Sequence, residues 1–206
     1  MISEGARRIG FFGGSFDPPH LGHLELARSL MDAHGLDEVL FSPAQISPFK
    51  TGYPPASAEH RLQMLRLATE DEPRFRVIDI ELEDKGASYT VDTVKKIIGF
   101  LKDGQVLYLL LGEDSVQHFH RWKEAEKLAE MVPLLVGRRP GFVFISTGNF
   151  YLDEKIKEGL TETPLLEISS TELREKLAKE ADCTQMLPSK VLDYITQNQL
   201  YSCTNE

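Results

Sequence analysis

Short apolar segments alternate along this chain with longer segments in which apolar residues recur every three or four positions. Such alternation predicts strands followed by amphipathic helices. The predicted strands are RIGFF, DEVLFSPA, FRVIDIEL, VLYLLLG, PLLVG and, after a further apolar segment FVFIS, a final strand PLLEI. VLYLLLG is almost entirely apolar, as expected for a central parallel strand that is covered on both faces.

The predicted helices fill the intervals between the strands. They are HLGHLELARSLMDAHG, SAEHRLQMLRLATED, YTVDTVKKIIGFLKDG and WKEAEKLAEMV, with STELREKLAKEA and PSKVLDYITQNQL near the C-terminus. Gly35 is predicted to close the first helix, Ser57 to cap the second, and the third is predicted to end near Gly104. The sequence therefore predicts an α/β fold: a doubly wound parallel sheet with helices on both faces. We expect one domain, 1–206, with a helical C-terminal portion over about 168–206.

Composition and charge narrow the class of protein. The 206 residues fit one globular domain with a sizeable core. A net charge of -9 argues against nucleic acid or an anionic membrane as the main partner. No apolar run approaches membrane-spanning length, and Cys183 and Cys203 have no metal-like spacing. The sequence thus predicts a cytoplasmic protein and leaves the oligomeric state open, a homo-oligomer included.

The segment GGSFDPPHLGH, between the first predicted strand and the first predicted helix, carries the candidate chemistry. In a doubly wound fold, ligands usually bind at this loop. Asp17 is predicted to cap the helix, so that His20 and His23 share one face near an N-terminus that favours phosphate. Gly22 costs about 1 kcal/mol of helix stability, which a close phosphate would explain. A capped helix with two incidental surface histidines fits the spacing equally well.

Two strings resemble signatures of the nucleotidylyltransferase superfamily. GGSFDPPHLGH resembles its H-x-G-H motif, and ISSTELR, residues 168–174, resembles its I-S-S-T-x-[IL]-R. The second string is also explained by a capping box of Ser169 and Glu172, and the two explanations are compatible. Further segments, YTVDTV, LGEDSVQHFHRWKEAEKL, RRPG and MLPSKVLDYITQNQLY, are similar to those of one family, the bacterial nicotinate-mononucleotide adenylyltransferases. One position departs from that family, since Phe49 stands where histidine is usual.

The resemblance implies a Rossmann-like nucleotidylyltransferase fold and transfer of AMP from ATP to the phosphate of nicotinate mononucleotide. Nicotinate adenine dinucleotide and pyrophosphate would form by direct in-line attack, without a covalent intermediate. Mg²⁺ would be carried by the ATP phosphates rather than by a cluster of carboxylates. The catalytic residues implied are His20, His23, Lys50 and Arg174. The ATP-binding residues implied are Gly13, Gly14, Ser15, Phe16, His20, His23, Gly112, Asp114, Ile168, Ser169 and Arg174. The acceptor-binding residues implied are Ser15, Lys50, Thr90, Trp122 and Arg139.

The resemblance also implies how the larger side chains act. The two histidines would contact the ATP phosphates, Arg174 would bind the β- and γ-phosphates, and Lys50 would neutralise charge at the reacting centre. Trp122 would stack on the pyridine ring, and Thr90 would orient the pyridine carboxylate. Considered alone, the tryptophan can also be explained as a core aromatic residue.

Two other functions stay open on the sequence alone. Pantetheine-phosphate adenylyltransferases share the first motif, but they are shorter and lack the Y-T-x-D-T and tryptophan segments. A nucleotide-binding sensor without turnover is favoured only by Phe49, and it would not need the four implied catalytic residues together. Pyrophosphate release from ATP with each candidate acceptor separates these functions.

Overall fold

The structure, a computed structural model, describes residues 2–45, 56–82, 86–164 and 166–202. Phe49, Cys203 and the predicted catalytic residue Lys50 lie outside the described residues.

Within the described residues, six strands form one sheet. They are β1 (Arg8–Gly14), β2 (Glu38–Pro43), β3 (Phe75–Val77), β4 (Val106–Gly112), β5 (Leu134–Arg138) and β6 (Leu160–Glu162). Their order is β3-β2-β1-β4-β5-β6, and every neighbouring pair is parallel. The chain direction across the sheet reverses between β1 and β4, so the carboxyl ends of these strands border a crevice. The predicted doubly wound parallel sheet is confirmed.

The helices comprise the six that were predicted and two that were not, Glu113–Val116 and Phe150–Glu158. They are α1 (Leu21–His34), α2 (Ala58–Thr69), α3 (Thr90–Ile98), α4 (Glu113–Val116), α5 (Ala125–Met131), α6 (Phe150–Glu158), α7 (Ser170–Ala178) and α8 (Ser189–Gln197), with a 3₁₀ turn at Phe119–Arg121. Gly35 ends α1 with φ 59°, a conformation that favours glycine. The Ser57 side chain caps α2 by accepting a hydrogen bond from the backbone N–H of His60. Both predicted helix boundaries are confirmed.

Successive side chains of the central strands divide between two apolar cores. Phe11 of β1 packs with α3, α5 and α6, whereas the next residue, Phe12, packs with α1 and α2. In β4, Leu109 and Leu111 face the first core and Leu110 faces the second. Because helices cover both faces, a continuous apolar run is required there, and this explains VLYLLLG.

The helices α7 and α8 pack on α2, beyond these two cores. Their apolar cluster includes Met64 of α2, Leu173 of α7, and Val191 and Ile195 of α8. This packing brings the end of the chain beside the β1–α1 loop, residues 15–20, which contains most of the first motif.

One predicted strand is wrong, and the apolar segment before it also lies outside the sheet. In FVFIS, Phe142 and Phe144 turn toward the core, but the segment lies outside the sheet because β6 occupies the edge beside β5. The described residues of PLLEI also lie outside any strand, since the final strand is β6, just before them. Alternating burial therefore occurs at FVFIS in a segment that pairs with no strand.

Three predicted boundaries are also wrong. FRVIDIEL is a strand only over its first three residues, because the chain turns where the carbonyl of Asp79 accepts a 2.8 Å hydrogen bond from the N–H of Leu82. The third helix ends at Ile98 rather than near Gly104. The helix predicted from Trp122 begins at Ala125, after the 3₁₀ turn.

Candidate active site

A cavity of about 580 Å³ opens at the carboxyl ends of β1 and β4. Glycines from three neighbouring strands line it: Gly13 and Gly14 of β1, Gly112 of β4 and Gly137 of β5. This is the crevice in which doubly wound sheets bind their ligands, and its size suits a nucleotide. The sequence predicted a site at the loop after β1, where the cavity lies.

His20 and His23 form a stacked pair in this cavity, with ring centroids 3.6 Å apart and planes at 26°. His20 is only 6% exposed and occupies the N-cap position of α1. Burial lowers its pKa to about 4, so the ring is uncharged at neutral pH. The backbone N–H of His20 donates a 3.2 Å hydrogen bond to Nδ1 of His23, which leaves the proton of a neutral His23 ring on Nε2.

Gly22 accommodates the ring of His20. A Cβ atom built on Gly22 would lie 3.0 Å from Nδ1 and 3.2 Å from Cε1 of His20. The sequence suggested instead that this glycine makes room for a phosphate. In the structure the imidazole of His20 occupies this space, because its ring lies over the first turn of α1.

Phe16 packs beside the histidine pair in an unusual backbone conformation. Its φ of 47° lies in the left-handed region, which costs about 1 kcal/mol for a residue with a Cβ atom. Its buried ring meets His23 edge to face, with centroids 5.0 Å apart. A Cβ atom on Gly14 would lie 3.1 Å from that ring. Part of the GGSF sequence is thus required by the packing of the site itself.

Asp17 does not cap α1, contrary to the prediction. Its buried side chain instead accepts a 2.6 Å hydrogen bond from the hydroxyl of Tyr201, near the end of the chain. Burial, with the neighbouring carboxylate, raises the pKa of Tyr201, so the hydroxyl remains a donor. The predicted cap position belongs to His20.

Other contacts hold the same loop to the C-terminal helices. Nη1 of Arg174 donates a 2.8 Å hydrogen bond to the carbonyl of Asp17, and Nη2 donates to the hydroxyl of Thr171 at 3.3 Å. The hydroxyl of Ser170 donates to the carbonyl of Pro18 at 3.0 Å. The geometry of the β1–α1 loop therefore depends on α7 and on the last described residues.

The opposite wall of the cavity contains Trp122 and the N-terminus of α3. Thr90 is the first residue of this helix, and Tyr89 precedes it in the cap position. Trp122 is half-buried and packs on Phe119, with ring centroids 5.2 Å apart. Nζ of Lys123 lies 4.5 Å from the centroid of the Tyr89 ring. An aromatic ring, a helix N-terminus and a cation therefore occur together on this wall.

Arg139 lies in the cavity wall beside the end of β5 and pairs with Glu113. Its guanidinium contacts the Glu113 carboxylate, and its backbone N–H donates a 3.0 Å hydrogen bond to the same group. Glu113 raises the pKa of Arg139. The side chain of Asp114 is 93% exposed, 3.8 Å from the guanidinium. Glu113, which was not predicted, thus neutralises the predicted acceptor-binding arginine.

Two further buried charged residues were missed from the sequence. Glu81 lines the cavity, and burial raises its pKa although the hydroxyls of Ser88 and Thr93 oppose that shift. Arg61 is 1% exposed and donates hydrogen bonds to the backbone of two loops of the site. One signal was available for Arg61, because a cation in the first turn of a helix opposes the helix dipole.

The cavity brings together most of the predicted site residues: Gly13, Gly14, Ser15, Phe16, His20, His23, Thr90, Gly112, Asp114, Trp122, Arg139, Ile168 and Ser169. Arg174 is outside the set of residues that line the cavity, and its guanidinium donates to the main chain of Asp17. Ser169 caps α7 by accepting from the backbone N–H of Thr171, one residue earlier than in the predicted capping box.

Two absences hold for the residues that the structure describes, 2–45, 56–82, 86–164 and 166–202. Among the described residues, no group of three or more His, Cys, Asp or Glu side chains is arranged to hold a metal ion. No helix in these ranges is long and apolar enough to cross a membrane.

Comparison with known proteins identifies the class. Residues 11–176 match the family described as cytidylyltransferase-like, so the chain is a member of the nucleotidyltransferases and its fold is theirs. The nicotinate-nucleotide adenylyltransferase of Bacillus subtilis (strain 168) is 33% identical over 95% of this chain and 98% of that protein. A relative from Bacillus cereus (strain Q1), named for the same activity, is 40% identical over 95% of this chain and 98% of its own. The chain belongs to the nicotinate-nucleotide adenylyltransferase family, as its motifs predicted.

A solved structure has the same fold. The nicotinic acid mononucleotide adenylyltransferase of Plasmodium falciparum, complexed with NaAD, superposes with a TM-score of 0.75. The alignment covers 95% of this chain and 97% of that one at 22% identity.

Proposed function

We propose that this protein transfers AMP from ATP to the phosphate of nicotinate mononucleotide, a step of NAD biosynthesis. The observation that carries the proposal is the composition of the cavity. The stacked histidines lie on one wall, and Trp122 with the N-terminus of α3 lies on the other. One crevice thus contains groups that suit the phosphates of ATP and groups that suit the pyridine ring of the acceptor. The relatives named for this activity support the same assignment.

The reaction requires little acid–base catalysis from the protein. A phosphate oxygen of nicotinate mononucleotide attacks the α-phosphorus in line. The bond from this phosphorus to the oxygen that bridges to the β-phosphate breaks, and pyrophosphate leaves with that electron pair. The nucleophile is already an anion, so catalysis consists mainly of positioning and of stabilising charge.

The two histidines have different parts in this proposal. His20 acts as an uncharged group at neutral pH because its pKa is near 4. His23 donates from Nε2, since the backbone N–H of His20 occupies its Nδ1. Both rings would contact phosphate oxygens of ATP, and donors held ready in a closed site stabilise developing charge most effectively. Ser15 and the backbone of Gly13 and Gly14 would surround the same phosphates.

The acceptor's pyridine ring would lie at the opposite wall. Trp122 offers an aromatic face for stacking. The first backbone N–H groups of α3, beside Thr90, offer donors and a positive dipole end to the pyridine carboxylate. Gly112, Asp114, Ile168 and Ser169 would form the adenosine side. Arg139 would reach the acceptor while paired with Glu113, and Lys50 would act at the reacting centre.

We propose that Mg²⁺ enters with ATP. Phosphate oxygens and water are the ligands that this ion prefers, and it is commonly held by the substrate in phosphoryl-transfer sites. Bound there, the ion would neutralise part of the triphosphate charge. Arg174, beside Thr171 at the cavity margin, would complement it at the β- and γ-phosphates. Binding of ATP with and without Mg²⁺, measured by calorimetry, tests this arrangement.

Release of pyrophosphate tests the proposed function directly. The purified protein is incubated with ATP and either nicotinate mononucleotide, nicotinamide mononucleotide or phosphopantetheine, and the adenylylated product is identified by mass spectrometry. We expect nicotinate adenine dinucleotide from the first acceptor as the fastest reaction. Turnover only with phosphopantetheine would assign the alternative adenylyltransferase activity. ATP binding without turnover of any acceptor would favour the sensor function. A cytoplasmic location, and the absence of nucleic-acid and membrane partners, remain predictions from the sequence.

A further inference from the structure

Arg61 of α2 is almost fully buried, at 1% exposure. Its guanidinium donates only to backbone carbonyls in the described hydrogen bonds. Nη1 donates to Ser15 at 2.9 Å and Ala44 at 2.7 Å, Nη2 to Gln45 at 3.1 Å, and Nε to Ala56 at 3.3 Å. Burial lowers the pKa of this arginine, and the nearby Asp17 and Glu81 charges oppose that effect. Burying a cation costs free energy, so the buried position of the Arg61 guanidinium calls for an explanation.

The accepting carbonyls belong to two different loops of the candidate site. Ser15 is in the β1–α1 loop, beside the histidine pair. Ala44 and Gln45 begin the β2–α2 loop, and Ala56 is near its end. One planar guanidinium therefore fixes the distance between the two loops, because its donors diverge at fixed angles.

Further hydrogen bonds extend this connection to the wall that contains α3. The backbone N–H of Gln45 donates to the hydroxyl of Ser88 at 3.0 Å, two residues before Thr90. The backbone N–H of Ala44 donates to the carbonyl of Gly14 at 2.8 Å. A continuous path of hydrogen bonds thus runs from the β1–α1 loop, through Arg61 and Gln45, to the start of α3.

We propose that Arg61 is a positioning residue that sets the distance between the phosphate side of the cavity and the acceptor side. This inference rests on the proposed function, which places the acceptor's pyridine at α3. The β1–α1 loop has other anchors, because Tyr201 and Ser170 also hold it. The β2–α2 loop receives hydrogen bonds from Arg61 at three carbonyls, two at its start and one near its end. Loss of Arg61 therefore acts mainly on the acceptor.

Two substitutions of Arg61 test the proposal against a control on the same helix. Arg61→Met keeps a long side chain without donors, and Arg61→Lys keeps the charge without the planar fork. Arg66→Met is the control, because Arg66 is half-exposed and its ion pair among the described residues is a surface contact with Asp79, at 3.8 Å. Initial rates are measured with each substrate varied in turn, and the folded fraction is checked by circular dichroism.

For Arg61→Lys we expect kcat/KM for nicotinate mononucleotide to fall roughly 10- to 100-fold, the scale of a small misplacement of reacting groups. We expect binding of ATP in the absence of acceptor to stay near wild type. Arg61→Met should show a larger loss of the same kind, and Arg66→Met should show none. Higher activity of Arg61→Lys than of Arg61→Met would support a role for the hydrogen-bond donors of the side chain.

Three results would overturn the proposal. They are wild-type kinetics in a folded Arg61→Lys protein, equal losses for ATP and acceptor, and failure of both Arg61 variants to fold, since the last would make Arg61 a core residue only. Failure of the proposed function is a separate result. It would appear as a wild-type protein that releases no pyrophosphate with nicotinate mononucleotide. Direct calorimetric binding of the nucleotides to wild type and Arg61→Lys would then decide the Arg61 proposal by the same criteria.

Discussion

The hydroxyl of Tyr201 donates a 2.6 Å hydrogen bond to Oδ1 of Asp17, a residue 184 positions earlier in the chain. Asp17 is almost fully buried, within the loop that leads into the histidine pair. The end of the chain therefore stabilises the conformation of the first motif. This relationship gives the C-terminal helical portion a part in the candidate site as well as in the fold.

Replacing Tyr201 by phenylalanine should destabilise the protein and impair the site together. A buried carboxylate that loses its donor costs about 1–3 kcal/mol of unfolding free energy. Urea denaturation measures that loss, and kcat/KM for ATP measures the effect on the site. Tyr194→Phe is the matched control, because its hydroxyl contacts the His60 ring at 2.9 Å, away from the cavity. Equal effects of the two substitutions on activity would contradict a role for Tyr201 in the motif.

The buried His20 should make the protein less stable in mild acid. Its pKa is about 4 when folded and 6.5 when unfolded, so the unfolded chain binds more protons between these values. The contribution of the uncharged His20 ring to the free energy of unfolding is therefore complete above about pH 6.5 and is lost as the pH falls toward 4. Between pH 7 and pH 5 this should remove about 2 kcal/mol of unfolding free energy. Urea titrations of wild type and His20→Asn at both values measure the difference, which would vanish if the ring were accessible.

Substitution of Gly22 by alanine should separate stability from activity. The new Cβ would force the His20 ring from its place, whereas alanine favours the helix by about 1 kcal/mol. We expect kcat/KM to fall about 10- to 100-fold, with unchanged or increased thermal stability. Gly35→Ala, at the other end of α1, should lower thermal stability and leave kcat/KM unchanged. Its φ of 59° disfavours alanine, and it lies away from the His20 ring. Normal turnover in a stable Gly22→Ala protein would show that the ring position is unimportant.

The fold was predictable where the sequence signal is local. The apolar run of β4 and the glycine that ends α1 can each be recognised from a few consecutive residues. The first motif likewise placed the cavity, because a loop after the first strand of a doubly wound sheet has one location. The apolar segment FVFIS shows that alternation reports which side chains turn inward and does not report whether the backbone pairs with a neighbouring strand.

The contacts that shape the candidate site were not predictable in the same way. Asp17 is an ordinary N-cap residue by type, and only the packing of the last residues against the loop gives its carboxylate another donor. Arg61 contacts Ser15 across 46 positions, through a fold that has to form first. Gly22 was correctly singled out, but the atom that occupies its empty space belongs to His20. Such relationships depend on tertiary distances that a single sequence does not contain.

Arg174→Lys should weaken ATP binding more than acceptor binding. The guanidinium bonds two partners, the Asp17 carbonyl and the Thr171 hydroxyl, and lysine lacks the planar fork that reaches both. We expect KM for ATP to rise about tenfold, equivalent to the loss of one hydrogen bond to a charged group. The KM for nicotinate mononucleotide should change little. An unchanged KM for ATP would limit Arg174 to a structural part in holding the β1–α1 loop.

The preference between acid and amide acceptors should depend on the start of α3 rather than on Trp122. Nicotinate and nicotinamide mononucleotides differ by a carboxylate against a neutral amide, and the N–H groups beside Thr90 favour the carboxylate. Charge-assisted bonds contribute about 1.5–3 kcal/mol each, so we expect at least about a tenfold preference for the acid in kcat/KM. Trp122→Ala should weaken both acceptors alike, because stacking does not distinguish the substituents. Thr90→Pro removes one donor at a position where a helix tolerates proline, and it should reduce the preference selectively. Equal specificity constants of the wild type for the two acceptors would contradict this account while leaving adenylyl transfer as the proposed reaction.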